Sequence, residues 1–226
     1  MQARALIQKE YEVQERLSLL GLSAEILQAS GRSGKSARLG STPFHPKWYS
    51  GNVMYSNALA TMGQLLTPSG FKRIDPAGHP LVVNHKRKLA LLVATSDINT
   101  GNCDISQPPS TRPWKGPRTE EAVEENEFLL FPDMFEGMGM GGQQRHPLDG
   151  YEFWWLLMYP DEVNNLLRME LSRGIRMSKT RSVDGWSERI MLASQPLDEG
   201  GLTVSESPND DGPSDGEYEV EVTKLG

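Results

Sequence analysis

The sequence predicts an α+β fold in which N-terminal helices pack on a mainly antiparallel β-sheet, with long irregular loops. Helical patterns dominate the first 66 residues, and short apolar segments separated by turn residues dominate from residue 71 onward. The 22 Gly and 15 Pro residues, with a hydrophobic content of 37%, indicate long irregular segments. We therefore predict a single domain over residues 1–197, irregular loops at 107–118 and 132–150, and an acidic tail at 198–226.

Two helices are predicted near the start of the chain. Residues 2–20 are rich in helix-forming side chains, and their apolar residues recur at close to helical spacing. Gly21 can end this helix, and Ser23 is a candidate N-cap for a short second helix at 24–29. Ser, Gly, Arg and Lys dominate residues 30–42, so a mobile loop is expected there.

A phosphate-binding motif overlaps this expected loop. Residues 29–36, Ala-Ser-Gly-Arg-Ser-Gly-Lys-Ser, resemble a Walker A loop with Ala in place of the first Gly. A true Walker A loop follows a hydrophobic strand and opens a long helix. Here a predicted helix precedes the motif, and Gly40 and Pro43 follow soon after Lys35. A flexible basic loop is therefore the favoured interpretation, and nucleotide binding the weaker one.

A third helix and the first strands are predicted between residues 53 and 95. The helix covers 53–66, with Met54, Ala58, Met62 and Leu65 on one face. Residues 71–74 and 81–84 flank the turn sequence Asp-Pro-Ala-Gly, which predicts a β-hairpin. Residues 88–95 continue it as a third strand, and their unbroken apolar run is typical of a strand buried on both faces.

A row of polar side chains follows this buried strand and forms a candidate site: Thr95, Ser96, Asp97, Asn99 and Thr100. Loops fixed on a rigid strand often carry function. In the alternative, Asp97 and Asn99 accept hydrogen bonds from local N–H groups in an Asx turn. A calcium loop starting at Asp97 would need Gly at its sixth position and an acid at its twelfth, where Asn102 and Pro108 stand. Neither a metal nor a cofactor is predicted.

Catalytic constellations are not evident in the sequence. Asp161 and Glu170 suggest a metal-dependent nuclease with carboxylates on adjacent strands, but Ser172 stands where that class has its lysine. Each of the four histidines lies beside a proline or a basic run, away from a recognisable nucleophile. An enzyme with its site at 95–104 would need an acid or base from elsewhere in the fold.

The segment 107–118 is rich in proline and carries a cation–aromatic group made of Arg112, Trp114, Lys115 and Arg118. Cations around an indole can grip a nucleic-acid backbone and stack on a base, although an extended linker is the alternative. Thr119 is expected to cap an acidic helix that runs through Glu127. We therefore regard the segment as a candidate interface for nucleic acid or a protein partner.

The end of this acidic helix resembles a protein-docking motif. Residues 127–131, Glu-Phe-Leu-Leu-Phe, are similar to the pentapeptide by which bacterial replication and repair proteins bind the sliding clamp, with Glu127 in place of Gln. The resemblance implies that Phe128, Leu130 and Phe131 enter a partner's hydrophobic pocket. In the alternative, these side chains face the core.

The last third of the domain is predicted to be strands. Strands are expected at 151–159 and 163–172, followed by a hairpin with arms at 175–182 and 186–192 around Asp184-Gly185. These strands carry the cations Arg168, Arg173, Arg176, Lys179, Arg181 and Arg189. Because the cations outnumber the nearby acids, one face is expected to bind an anionic partner.

Charge divides the chain unevenly. The net charge of −7 combines +8 over residues 1–118 with −15 over residues 119–226. Acidic residues concentrate at 120–136 and in the tail, where alternation at 218–222 predicts an additional edge strand. The single cysteine, Cys103, and the absence of an apolar run long enough to span a bilayer predict a cytoplasmic protein without a membrane partner.

Three short segments resemble a family of uncharacterised bacterial proteins, several of them associated with mobile elements. They are Val-Val-Asn at 82–84, Ala-Thr-Ser-Asp at 94–97 continuing to Thr-Gly at 100–101, and Lys-Gly-Pro-Arg-Thr at 115–119. The resemblance, over about residues 20–198, implies a common fold and no particular activity.

The charge map favours a non-enzymatic protein that binds DNA or a DNA-processing complex through basic loops and strands, with the acidic segments moderating that contact. The first alternative is a protein–protein adaptor or inhibitor in bacterial antiviral defence, counter-defence or replication. The second is an enzyme with its site at 95–104.

Overall fold

Seven strands pair into one mixed sheet in the computed structural model, which describes residues 5–112, 115–132 and 148–197. The strands are β1 (Ala5–Ile7), β2 (Lys72–Ile74), β3 (Leu81–Asn84), β4 (Leu89–Thr95), β5 (Glu152–Asp161), β6 (Leu166–Met177) and β7 (Val183–Pro196). The helices are α1 (Glu10–Leu20), α2 (Ala24–Leu39), α3 (Tyr49–Leu66) and α4 (Pro117–Leu130). Trp114, most of the predicted loop 132–150, the acidic tail 198–226 and its predicted edge strand lie outside the described residues.

The strand order β1-β7-β6-β5-β4-β3-β2 confirms an α+β fold on a mainly antiparallel sheet. Among the described strands, the parallel pairs are β1/β7 and β4/β5. The connection from β4 to β5 contains α4, because neighbouring parallel strands require a long crossover. Among the described residues, no helix is both long and apolar enough to cross a membrane.

The sheet has a packed core on each face. The three N-terminal helices pack on the face that carries Leu91, Trp154 and Met169. The opposite face carries Trp155 and Trp186 and packs against α4. Neighbouring tryptophans of β5 thus enter different cores, because successive side chains of a strand alternate between the two faces. The unbroken apolar run of β4 is buried on both faces, as the sequence predicts.

The first predicted helix begins later than expected. Ala5–Ile7 is an edge strand, in which Leu6 lies opposite Arg189 of β7, and α1 starts at Glu10. Tertiary pairing therefore overrides the local helical preference of these three residues. Gly21 ends α1 with a φ of 74°, and the Ser23 side chain accepts a hydrogen bond from the Ile26 N–H, so both predicted caps are confirmed.

The prediction of a mobile loop at 30–42 is wrong, because α2 continues to Leu39. Gly34 lets α2 approach α3 so closely that a Cβ there would lie 2.5 Å from the Met54 carbonyl oxygen. Lys35, the lysine of the Walker-like motif, donates a 2.8 Å hydrogen bond to the Pro196 carbonyl from within this helix. Packing thus selects a helix where glycine and serine favour a loop, and no phosphate loop forms.

The first hairpin is confirmed and the last is displaced. Strands β2 and β3 pair around the predicted turn, with Arg73 opposite Val82. The β6–β7 turn lies at 178–182, where Arg181 has a φ of 58°, whereas Gly185 pairs with Arg176 inside the ladder. A Cβ on Gly185 would lie 2.5 Å from the Arg176 Cβ, so close packing in a bulged region uses the glycine.

Two helix boundaries also differ from the predictions. Helix α3 starts at Tyr49, and its predicted apolar residue Leu65 is 41% exposed while Leu66 is buried. Helix α4 starts at Pro117 after the N-cap Gly116, so Thr119 lies inside the first turn and does not cap the helix. A proline at the first helical position has no N–H to leave unsatisfied, which explains the earlier start.

Candidate functional site

Side chains of the predicted polar loop form hydrogen bonds with neighbouring groups of the same loop. The Asp97 carboxylate accepts bonds from the Asn99 and Ser110 N–H groups, each at 3.0 Å. Ser96 and Thr100 are buried, and their hydroxyl groups form a hydrogen bond with each other. Asp97 thus forms the Asx turn that the sequence offered as the alternative to a functional loop. The Asp97 and Thr100 side chains therefore bond to nearby backbone groups, and the Asp97 carboxylate is already occupied on both oxygens.

A buried ion pair fastens this loop to the sheet. Glu170 is fully buried, and its two oxygens accept bonds from Arg189 Nε at 2.9 Å and Nη2 at 2.6 Å. The same carboxylate accepts bonds from the Gly101 N–H at 2.8 Å and the Ser172 hydroxyl at 2.6 Å. Arg189 also donates to the Asn102 carbonyl at 3.0 Å. The pair is therefore a structural anchor between β6, β7 and the loop.

The nuclease interpretation finds no geometric support. Glu170 lies opposite Leu157 and Asp161 opposite Leu166, so the two carboxylates are four positions apart along the sheet, about 13 Å. Asp161 pairs with Arg168, and hydrogen bonds from Asn164, together with that arginine, lower the pKa of Asp161. Within residues 5–112, 115–132 and 148–197, no cluster of His, Cys, Asp and Glu could hold a metal ion.

Most of the predicted cationic residues are already paired with carboxylates. The pairs are Arg118–Glu121 at 2.7 Å, Arg168–Asp161, Arg173–Glu152 at 3.0 Å, Arg176–Asp184 at 3.1 Å and Arg181–Glu120 at 3.6 Å. Arg173 is also buried, which lowers the pKa of its guanidinium. The strands therefore present a largely neutralised face, and their cations do not combine into one patch.

The cations Arg112 and Lys115 form no ion pair with a described residue, and both line the same cavity. Backbone hydrogen bonds position them: the Arg112 N–H donates to the Thr95 carbonyl at 3.0 Å, and the Lys115 N–H to the Arg181 carbonyl at 2.9 Å. The segment predicted as a linker is thus held against β4 and the β6–β7 turn. Lys179 lies in that turn and does not line the cavity.

The cavity, which we call the β4 cavity, has a volume of about 510 Å³. It lies beside the end of β4, residues 92–95, where pairing with β3 has stopped. Continued by this register, Leu81 would lie opposite Leu92 and Pro80 opposite Val93, and Pro80 has no N–H to donate to a ladder. The sheet therefore opens here, and the start of α3 and the start of α4 lie on either side of the opening.

The β4 cavity is electropositive. Among the described residues, the cations that line it are Lys47, Arg112 and Lys115, and no aspartate or glutamate does. None of the three cations is ion-paired within the described parts of the chain. Burial without a compensating carboxylate lowers the pKa of Lys115. An anion in the cavity would supply that missing charge.

Aromatic side chains complete the lining. Trp48 is 65% exposed at the mouth, whereas Trp155 is buried at the inner end. Tyr55 also lines the cavity, and burial raises the pKa of its phenol. The arrangement can therefore hold an anionic group and a planar ring together.

The sequence predictions missed the α3 side of this cavity. Residues 43–50 mix prolines with aromatics and Lys47, as the segment 107–118 mixes prolines with cations and Trp114. That shared composition was the one sequence feature that could have indicated that both segments line the site. The convergence of the two segments was not visible, because more than 60 residues separate Lys47 from Arg112.

The clamp-like residues occupy the end of α4. Phe128 and Leu130 lie in its last turn, Phe131 directly follows the helix, and all three are half-buried. Phe128 and Leu130 are therefore presented from a helical backbone, and Phe131 from the residue that ends the helix. The motif stays a prediction.

Comparison of the chain with protein-family models, with curated proteins and with solved structures gave no match. The resemblance to mobile-element-associated bacterial proteins therefore stays a prediction as well.

Proposed function

We propose that the protein binds DNA, with phosphate groups held by Lys47, Arg112 and Lys115 in the β4 cavity. The observation that carries this proposal is that three cations line one cavity and that, within the described parts of the chain, none of them has an ion pair and no carboxylate lines the cavity beside them. DNA binding also agrees with the positive charge of residues 1–118. The basic surface expected from the sequence covered several strands and loops, whereas the proposed DNA contact is confined to the β4 cavity.

The chemistry of the three cations suits a phosphate. Arg112 offers a planar fork of donors that matches two phosphate oxygens, while lysines act as point charges. Lys115 lies in surroundings of low polarity, where attraction to an anion is stronger than at the surface. A phosphate would favour the charged ammonium and would raise the pKa of Lys115 towards its ordinary value. Binding is therefore expected to release counterions and to weaken with salt.

Neutralisation of Lys115 tests the proposal. We expect full-length Lys115→Met to bind a fluorescein-labelled 20-mer DNA at least tenfold more weakly than the wild type in fluorescence anisotropy at low salt. The plot of log affinity against log salt should also become shallower, by roughly 0.7 to 0.9 for each phosphate that the protein no longer neutralises. Lys179→Met is the matched control, because it removes the same charge from an exposed turn outside the cavity.

The acidic tail supplies an independent test. Removal of residues 198–226 is expected to strengthen DNA binding, because acidic residues there compete electrostatically with phosphate. If neither the full-length protein nor this truncated form binds DNA at low salt, the proposal is overturned. Equal reductions in affinity from Lys115→Met and Lys179→Met would place the DNA outside the cavity and would also contradict it.

A further inference from the structure

The β4 cavity is a recess and not a flat basic surface. Its inner end is formed by Trp155, which is 1% exposed, and by Thr119, which is 6% exposed. Lys115 is partly enclosed, and Arg112 is exposed beside it. A phosphate that contacts Lys115 must therefore enter the recess, with the exposed Arg112 beside it.

A duplex is a poor match for this shape. Its phosphates lie along a wide, stiff cylinder, and its bases turn only their edges towards the grooves, because their faces are stacked on one another. A volume of about 510 Å³ is typical of a site for a small molecule and leaves room for one nucleotide. A flexible strand can direct a single phosphate and base into such a site.

Trp48 provides a surface for an unpaired base at the mouth of the cavity. The indole is 65% exposed, although large aromatic rings are usually buried. Its segment is fixed nearby, since the His45 and Tyr49 rings stack with centroids 4.1 Å apart. The Thr42 N–H also donates to His45 Nδ1 at 2.9 Å. The backbone that carries Trp48 is therefore fixed before any ligand binds, because the Asn52 N–H also donates to the Trp48 carbonyl at 3.1 Å.

We infer that the ligand is single-stranded DNA, of which one unpaired nucleotide occupies the β4 cavity with its base stacked on Trp48 and its phosphate between Arg112 and Lys115. This inference rests on the proposed function and specifies its ligand. Stacking on an aromatic ring and a cationic groove are the two features by which proteins bind single strands without sequence preference.

Anisotropy with the full-length protein and three probes built on a 12-nucleotide strand tests the inference. The probes are labelled oligo-dT, an abasic strand with the same backbone charge, and the same oligo-dT paired to oligo-dA within a hairpin, which stays double-stranded at low salt. We expect oligo-dT to bind at least tenfold more tightly than the duplex. We also expect it to bind several-fold more tightly than the abasic strand, because only the base can stack.

Two variants separate stacking from charge. Trp48→Leu is expected to lower affinity for oligo-dT about tenfold and to leave affinity for the abasic strand unchanged, whereas Lys115→Met lowers both. Phe44→Leu is the matched control, since Phe44 is 99% exposed, lies four residues before Trp48 and does not line the cavity.

The possible failures are distinguishable. Equal affinity for single strand and duplex, or an equal effect of Trp48→Leu on oligo-dT and the abasic strand, would overturn the single-strand inference and leave DNA binding intact. The absence of binding to all three probes at low salt would overturn the proposed function and this inference together.

Discussion

The carboxylate of Glu170 is the charge whose loss we expect to destabilise the fold most. It is fully buried and accepts four hydrogen bonds, two from Arg189 and one each from the Gly101 N–H and the Ser172 hydroxyl. In Glu170→Gln the charge disappears and one acceptor oxygen becomes an NH₂ group. That NH₂ group would face groups that also donate hydrogen bonds, so neither side could accept. The buried Arg189 guanidinium would also lose its counter-charge.

The magnitude follows from burial. Arg189 is only 6% exposed, so water cannot replace the lost carboxylate oxygen. Removal of one partner of a buried ion pair costs about 3–5 kcal/mol of unfolding free energy. For a domain of about 200 residues, each kcal/mol lowers the melting temperature by about 2–4 °C, which gives a decrease of roughly 6–20 °C.

Urea denaturation and thermal melting of the full-length variants measure this effect. The control is Glu121→Gln, because Glu121 pairs with Arg118 at 2.7 Å while both side chains are partly exposed. That change should cost less than about 1 kcal/mol. The double variant Glu170→Gln/Arg189→Met should cost about 1–3 kcal/mol less than the sum of its single variants, since the two residues interact directly.

A small effect would refute this account of the loop. If Glu170→Gln lay within about 1 kcal/mol of the wild type, or matched the Glu121 control, the buried pair would not be what fastens residues 97–102 to the sheet. Additivity in the double variant would contradict direct coupling of Glu170 with Arg189.

Two further predictions concern packing and pH. Gly34→Ala should destabilise the fold by about 1–3 kcal/mol, because the new Cβ would lie 2.5 Å from the Met54 carbonyl oxygen. Gly51→Ala, with nothing within 4 Å, should be neutral or stabilising, and urea denaturation compares the two. The folded state lowers the pKa of Asp161, chiefly through hydrogen bonds from Asn164. The ionised Asp161 therefore stabilises the fold above pH 3.8, the ordinary pKa of the group, and this stabilisation is lost as the pH falls through the folded pKa. Asp161→Asn should therefore flatten the acid limb of a stability–pH curve, and an unchanged limb would contradict this assignment.

The order of most elements could be predicted from the sequence because their signals are local. The apolar run of β4, the left-handed cap at Gly21 and the hydroxyl cap at Ser23 each depend on a few neighbouring residues. The β2–β3 hairpin likewise follows from four turn residues between short apolar segments. These features match the predictions because tertiary packing acts in the same direction as local preference.

Local signals failed where packing opposed them. Glycine and serine at 30–36 favour a loop, yet the small side chains let α2 lie against α3 and β6. Asp184-Gly185 is a strong turn signal, yet Gly185 is needed inside a bulged ladder beside Arg176. In both places the glycine lets two segments pack closely. A glycine needed for close packing looks the same in the sequence as a glycine needed for a turn.

The sequence alone determined the fold class, the buried strand β4 and the cation–aromatic composition of the segments that surround it. Tertiary structure decided which charges remain available. Arg176 and Arg181 pair with carboxylates, whereas Lys47, Arg112 and Lys115 line the β4 cavity, where no carboxylate of the described residues joins them. The physical reason is range. Helix caps and turns depend on residues a few positions apart, but an electropositive cavity depends on distances between segments that only the folded sheet brings together.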